Sequence, residues 1–203
     1  MGRNSNLQTL IKEILSSREP LCIGDDQGPR RHACVLVPLL VEDGTHKMLL
    51  TKRTDTLAHH KGQISFPGGS CDACDCTLED TALREAFEEI GLHKDDVKIL
   101  GRIDDAVTVS SSFVIHPIVG QVPCPYEFTL NTAEVERLIK IPLDVFRPGS
   151  SASLSHQLRR DGWTYSGLAW QYEDDIIWGA TARVILNFME IFSDTLVLLS
   201  DER

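Results

Sequence analysis

GGSCDACDCTLEDTALREAFEEIGL, residues Gly68 to Leu92, organises the chain, because its second half carries three carboxylates from which an isolated helix gains nothing. At about 100° per residue, Glu85, Glu88 and Glu89 fall within one arc, while Leu83, Ala86, Phe87 and Ile90 take the opposite, core-facing side. Like charges at i, i+3 and i+4 repel, so the cluster either retains protons or holds a cation that takes several oxygen ligands. A hard divalent metal is the simpler answer. The helix has readable ends: Thr77 with Asp80 approximates a capping box, and Gly91 is placed for a left-handed C-terminal cap. Upstream, Pro67-Gly68-Gly69 reads as a sharp turn and Ser70 to Asp75 as a small polar loop.

Working outward, the 203 residues suit one domain over 1–203, and 42% apolar with 25% charged residues is an ordinary globular composition. No apolar run reaches the ~18 residues that span a bilayer. The start, MGRNSNLQTL, lacks a signal-peptide core, and Asn6 does not support myristoylation of Gly2, so the expected compartment is the cytoplasm. A net charge of −10 argues against a nucleic-acid or anionic-membrane partner. It leaves room for a small polyanion, because bound cations and a few placed Arg or Lys residues set the local field. A homodimer stays open.

Six cysteines, at 22, 34, 71, 74, 76 and 124, are read as thiols rather than a disulfide framework. Cys71, Cys74 and Cys76 have the chemistry of zinc or iron–sulfur ligands, with His59 and His60 the histidines that could join them in space. A small-residue loop that tolerates Cys is the preferred reading.

Leu7, Leu10, Ile11, Ile14 and Leu15 predict a packing helix over 4–17. Arg30 to Val41 and Met48 to Arg53 predict a hairpin turning at Glu42-Asp43-Gly44, with Arg30 and Arg31 near its start as possible phosphate contacts. Val97 to Asp105 and Phe113 to Val119 alternate like strands around a hydroxyl-rich loop, Thr108 to Ser112, and His116 is expected in the core or at a sheet edge. Residues 163–172 read as one strand, and Trp178 to Phe192 as a closing helix packed through Ala182, Ile185, Leu186, Met189 and Phe192.

The run Arg84 to Leu92, REAFEEIGL, resembles the end of the Nudix box: Gly, five residues, Glu, seven residues, Arg-Glu, an aliphatic, any, Glu-Glu, any, Gly, an aliphatic. Counted from Gly69, the box runs 69–92 with Asp75 in place of its first Glu and eight residues, not seven, before Arg84. A second, narrower resemblance lies in LLTKRTDTLAHHKGQISFPGG, residues 49–69, which looks like the signature of coenzyme A pyrophosphatases. Leu49, Leu50, Thr51, Arg53, Gly62, Phe66, Pro67, Gly68 and Gly69 are in register; Thr54 and Ala58 depart, the latter replacing an Arg.

The resemblance implies an α/β Nudix fold, a mixed β-sheet in an α/β/α sandwich. It implies Mg²⁺ or Mn²⁺ held by Glu85, Glu88 and Glu89, and metal-dependent cleavage of coenzyme A to adenosine 3',5'-bisphosphate and 4'-phosphopantetheine. Another nucleoside diphosphate derivative, such as NADH, a nucleotide sugar or a dinucleoside polyphosphate, is the alternative substrate, and a non-catalytic nucleotide-binding module the alternative class. Arg84 is expected to orient Glu85 or Glu88. The general base is one of Glu88, Glu89 and Glu134, the last set in a segment resembling one that brings an additional acid into many Nudix sites. Arg53, Gly68 and Gly69 are the expected substrate contacts, and His59 and His60 have the chemistry to meet a phosphate.

Overall fold

The computed structural model describes residues 4–24, 30–56, 61–108, 113–150, 153–155, 158–160, 163–165, 167–193 and 195–196. Helix α1 spans Asn4–Ser17 and buries Leu7, Ile11 and Leu15, the stripe that its apolar spacing predicts. Strands β1 (Arg31–Glu42) and β2 (Thr45–Arg53) form the predicted hairpin. Its two-residue turn has positive φ at both Asp43 (50°) and Gly44 (75°), the combination that matches the right-handed twist of paired strands. Then come β3 (Ile64–Ser65), β4 (Gly68–Ser70), α2 (Leu78–Ile90), β5 (Lys98–Arg102), β6 (Ala106–Val107), β7 (Phe113–Gln121) and β8 (Val135–Pro142). Short strands β9 (Ser153–Ser155), β10 (Leu158–Arg160), β11 (Trp163–Tyr165), β12 (Leu168–Tyr172) and β13 (Asp175–Ile177) precede α3 (Gly179–Ile191).

Among the described residues, β1 to β8 make one sheet with the path β3-β2-β1-β7-β5, to which β4 adds beside β1, β6 beside β7 and β8 beside β2. It is mixed: β1 and β7 run parallel from Arg31↔Phe113 to Leu39↔Gln121, and the other pairs are antiparallel. Helices cover both faces. Cys34, Leu36, Leu40, Leu49 and Ile118 pack against Ala82, Ala86 and Ile90 of α2. Val37, Met48, Leu50, Val119 and Ile141 share the other core with α1 and α3. Coverage of both faces explains why β1 reads as a nearly unbroken apolar run instead of an alternating one.

Two expectations change. The predicted single strand over 163–172 is two, β11 and β12, which pair with different partners, β10 and β9/β13. Helix α3 buries Val184 and Phe188 as well as the predicted Ala182, Ile185 and Met189, while Leu186 is only partly covered. Strand β8 is not among the predicted strands: Arg137 and Leu138 break the alternation of buried and covered positions that Ile139 to Pro142 keep.

His116 is buried, as expected, and sits in a polar chain. Its Nδ1 lies 2.8 Å from Asp105 Oδ1 and its Nε2 2.9 Å from His32 Nδ1, while Arg102 donates to Asp105 at 3.0 Å. No described helix is long and apolar enough to cross a membrane.

Candidate active site

Helix α2 begins and ends as its sequence dictates. The Thr77 hydroxyl accepts from Asp80 N–H at 3.1 Å, and Gly91, at φ 67°, returns its N–H to the carbonyl of Phe87. The rotation of the helix differs from the sequence reading. Ala82, Ala86 and Ile90 form the face on the sheet, and Glu89 is adjacent to them around the helix, so it is only 3% exposed while Phe87 is 49% exposed. The acids are therefore not a solvent face: Glu85 and Glu89 point along the sheet toward β4, and Glu88 alone is half-exposed.

Strand β4 explains that burial, and the expected turn lies just before it, where the chain reverses between β3, antiparallel to β2, and β4, antiparallel to β1. Gly68 and Gly69 are extended and paired with Val35 and Cys34 of β1, and Leu36 N–H donates to Pro67 C=O at 2.9 Å. A Cβ on Gly68 would fall 2.3 Å from the Cys34 carbonyl oxygen, and one on Gly69 2.5 Å from the Glu85 carboxylate. The reversal itself falls at Phe66-Pro67, and the two glycines that follow serve close approach.

Arg84 is the hub of the cluster. Its Nε and one terminal nitrogen grip both oxygens of Asp75, at 3.1 and 3.0 Å. The other terminal nitrogen donates to Glu85 at 2.8 Å and to Glu88 at 3.3 Å. Asp75 also accepts from the Thr81 hydroxyl at 2.8 Å and from Asp72 N–H at 3.0 Å. The hydrogen bonds from Arg84, before all else, hold its carboxyl far below the usual carboxylate range. The longer loop and the shorter acid compensate for each other, and the forked contact with the guanidinium is complete.

Glu89 is the electrostatic centre. Burial pushes its carboxyl up to about 7, against the opposing pull of Arg53 and Gly68 N–H, and the charges of Glu134 and Glu85 push the same way as burial. Arg53 and Gly68 N–H each lie 3.4 Å from it. Burial also raises Glu85, with Arg84 opposing and Glu88 and Glu134 adding to it. Glu134 stands just before β8, and its carboxylate accepts from Asn131 Nδ2 at 3.2 Å. Its backbone carbonyl accepts from Thr54 N–H at 2.9 Å, which ties it to the end of β2 beside Arg53. The fold thus brings Arg53, Gly68, Gly69, Arg84, Glu85, Glu88, Glu89 and Glu134 to one end of the sheet.

Among the described residues, no three His, Cys, Asp or Glu side chains converge as ligands of one ion. The donor set nevertheless fits a hard divalent cation. Glu85 and Glu89 are carboxylates whose charged forms burial opposes, so a bound cation would stabilise both, and the bare backbone of Gly69 makes the room that the Glu85 carboxylate occupies. Carboxylate oxygens suit Mg²⁺ or Mn²⁺ better than a soft metal.

Other candidates fall elsewhere. Arg31 lies over the Phe113 ring, 4.2 Å from its centroid, which is a packing role. Ala58, His59, His60 and residues 109–112 of the hydroxyl-rich loop lie outside the described residues. Asn131, a capping candidate for the Glu134 segment by sequence, donates directly to the Glu134 carboxylate. Nothing in the sequence marks the open groove beside Glu88 lined by Phe87, His93 and Thr129.

Residues 30–143 match the family model described as the NUDIX domain. Over 157 residues, covering 76% of each chain, the sequence is 40% identical to the uncharacterized Nudix hydrolase NudL of Yersinia pestis (strain Pestoides F). The NudL of Yersinia pseudotuberculosis serotype I (strain IP32953) matches with the same identity of 40% and the same 76% coverage. Among solved structures, a MutT/nudix family protein from Enterococcus faecalis superposes with a TM-score of 0.57 over 96% of this chain and 76% of that one, at 12% identity, a likeness of fold alone.

Proposed function

Because the chain belongs to the Nudix hydrolase family, we propose that it is a divalent-metal-dependent pyrophosphohydrolase that cleaves coenzyme A or its derivatives to adenosine 3',5'-bisphosphate and 4'-phosphopantetheine. Membership carries the coarser activity, Nudix-type hydrolysis of a nucleoside-diphosphate-linked substrate, together with the mixed sheet flanked by helices. The observation that supports the finer reading is a convergence. Arg53, Gly68 and Gly69 belong to the segment resembling coenzyme A pyrophosphatases, and they stand against Glu89 and Glu85 of the box helix. We take residues 1–203 as one domain, since α1, α3 and the sheet share a core, and the cytoplasm as its compartment.

Glu85, Glu88 and Glu89 would hold the metal. When bound, Mg²⁺ or Mn²⁺ supplies charge neutralisation on the diphosphate oxygens and acidifies water. Arg84 aims Glu85 and Glu88, and Asp75 keeps Arg84 from swinging away. Glu134, close enough for its charge to act on Glu85 and Glu89, takes the proton of the attacking water. Arg53, 3.4 Å from Glu89, would meet a phosphate oxygen of the substrate.

Incubating the protein with coenzyme A and excess Mg²⁺ or Mn²⁺, with chromatographic identification of the products, tests reaction and substrate together. Equal or faster turnover of dephosphorylated coenzyme A, NADH, a nucleotide sugar or a dinucleoside polyphosphate would overturn the coenzyme A assignment. No turnover of any of them would return the chain to the class of binding modules.

A further inference from the structure

Away from the acid cluster, two thiols stand in sulfur contact: Cys34 Sγ and Cys71 Sγ are 3.5 Å apart. Cys71 N–H donates to His32 C=O at 3.1 Å, which continues the β1–β4 ladder by one residue beyond Ala33↔Ser70. Cys34, opposite Gly69 in that ladder, and Cys71 are therefore diagonal neighbours on the same face of the sheet. They differ sharply in access, since Cys34 is fully covered and Cys71 is exposed. Burial, and then the hydrogen bond with Cys71, push the Cys34 thiol well above the ordinary cysteine range. An oxidant from solvent therefore meets Cys71 first.

We propose that Cys34 and Cys71 are a redox pair, in which Cys71 is oxidised by a peroxide and Cys34 resolves it into a reversible disulfide. In the first step the Cys71 sulfur takes one peroxide oxygen: an S–O bond forms, the O–O bond breaks, and the thiol proton leaves with the other oxygen as water. In the second, the Cys34 sulfur attacks the sulfenic sulfur. The S–S bond forms, the S–O bond breaks, and the departing hydroxide takes the Cys34 proton to give a second water. The two sulfurs lose two electrons and the peroxide gains them. Closure brings the sulfurs to about 2.05 Å, and the exposed partner has the freedom to move. The bond ties the first residue after β4 to β1, at the root of the loop whose Asp75 grips Arg84. It needs neither substrate nor metal.

The test treats the purified protein with hydrogen peroxide, alkylates the remaining thiols during unfolding, and maps cross-linked peptides by mass spectrometry without reduction. The expected result is a Cys34–Cys71 peptide, loss of two of the six thiols, and a melting temperature raised by roughly 5–10 °C. Dithiothreitol should reverse all of these. Cys71→Ser should abolish the product. A Cys74→Ser/Cys76→Ser variant, which alters exposed side chains only, should retain it and keeps the test decisive if Cys71→Ser folds poorly. A cross-link from Cys71 to Cys74 or Cys76, or Cys71 sulfinic acid beside an alkylated Cys34, would overturn the pairing.

Discussion

Replacing Glu89 by Gln should make the metal-free protein more stable, and only above a certain pH. The carboxyl is raised from the ordinary 4.5 to about 7 by burial, so in the folded chain its ionisation is opposed. Below about pH 4.5 folded and unfolded chains are both protonated there and nothing is lost. Between 4.5 and 7 the unfolded chain releases a proton that the folded chain keeps, and stability falls as pH rises; above 7 the loss is constant. At roughly 1.4 kcal/mol per pH unit the loss amounts to about 3 kcal/mol, to order of magnitude. Gln is neutral, nearly isosteric, and retains an oxygen to accept from Gly68 N–H and Arg53. Urea denaturation in the presence of a chelator should therefore give equal midpoints for Glu89→Gln and the parent near pH 4.5, and a clear gain of about 1–3 kcal/mol for the variant at pH 8. Magnesium chloride at pH 8 should stabilise the parent and leave the variant nearly unmoved. A difference that does not change with pH, or a variant less stable at pH 8, would refute the reasoning that an uncompensated buried charge sits at this position.

Further substitutions have defined expected outcomes. Glu88→Gln, at the half-exposed acid, should lower kcat by roughly 10²–10⁴-fold with the melting temperature little changed, as ligand or base loss predicts; unaltered turnover would remove Glu88 from the site. Asp75→Asn should free Arg84 and lower kcat roughly 10–100-fold in steady-state kinetics, and should also lower the urea midpoint at pH 7, because the carboxylate that Arg84 holds far below its usual range is lost. Gly69→Ala displaces only the end of a side chain, Glu85, so activity should fall by roughly 10²-fold while the fold survives; Gly68→Ala meets the Cys34 carbonyl and should lose roughly 3 kcal/mol or more in urea titrations. Glu42, held at about 2 chiefly by Lys140 and then by Lys47, contributes stability that is present above pH 4.5 and lost as pH falls toward 2. Glu42→Gln should thus weaken the protein by about 1 kcal/mol at pH 7, given the pair's partial exposure, and progressively less toward pH 2.

What was legible in the sequence was what local chemistry fixes. Thr77 and Gly91 bound α2 because capping uses residues within a turn of the helix end, and Asp43-Gly44 fixed the hairpin because its turn demands positive φ. What was not legible depends on partners distant in the chain. Pro67-Gly68-Gly69 has the composition of a turn, and only the closeness of Cys34 and Glu85 shows that glycine is needed there for space. Likewise the arc of three glutamates reads as the side opposite the core until β4 lies against it, and then Glu89 is enclosed while Phe87 looks outward. Asp75 was visible as a departure from the box; that it still reaches Arg84 with both oxygens requires the path of the intervening loop.

The tether between Glu134 and the end of β2 carries an implication for assembly. The three glutamates of α2 come early in the chain, but Glu134 arrives with β8, a strand that must dock on β2. On the roles proposed above, a partly folded chain with β8 detached would keep the three metal-holding glutamates and lack the base, so divalent-ion affinity and turnover should recover at different moments during refolding.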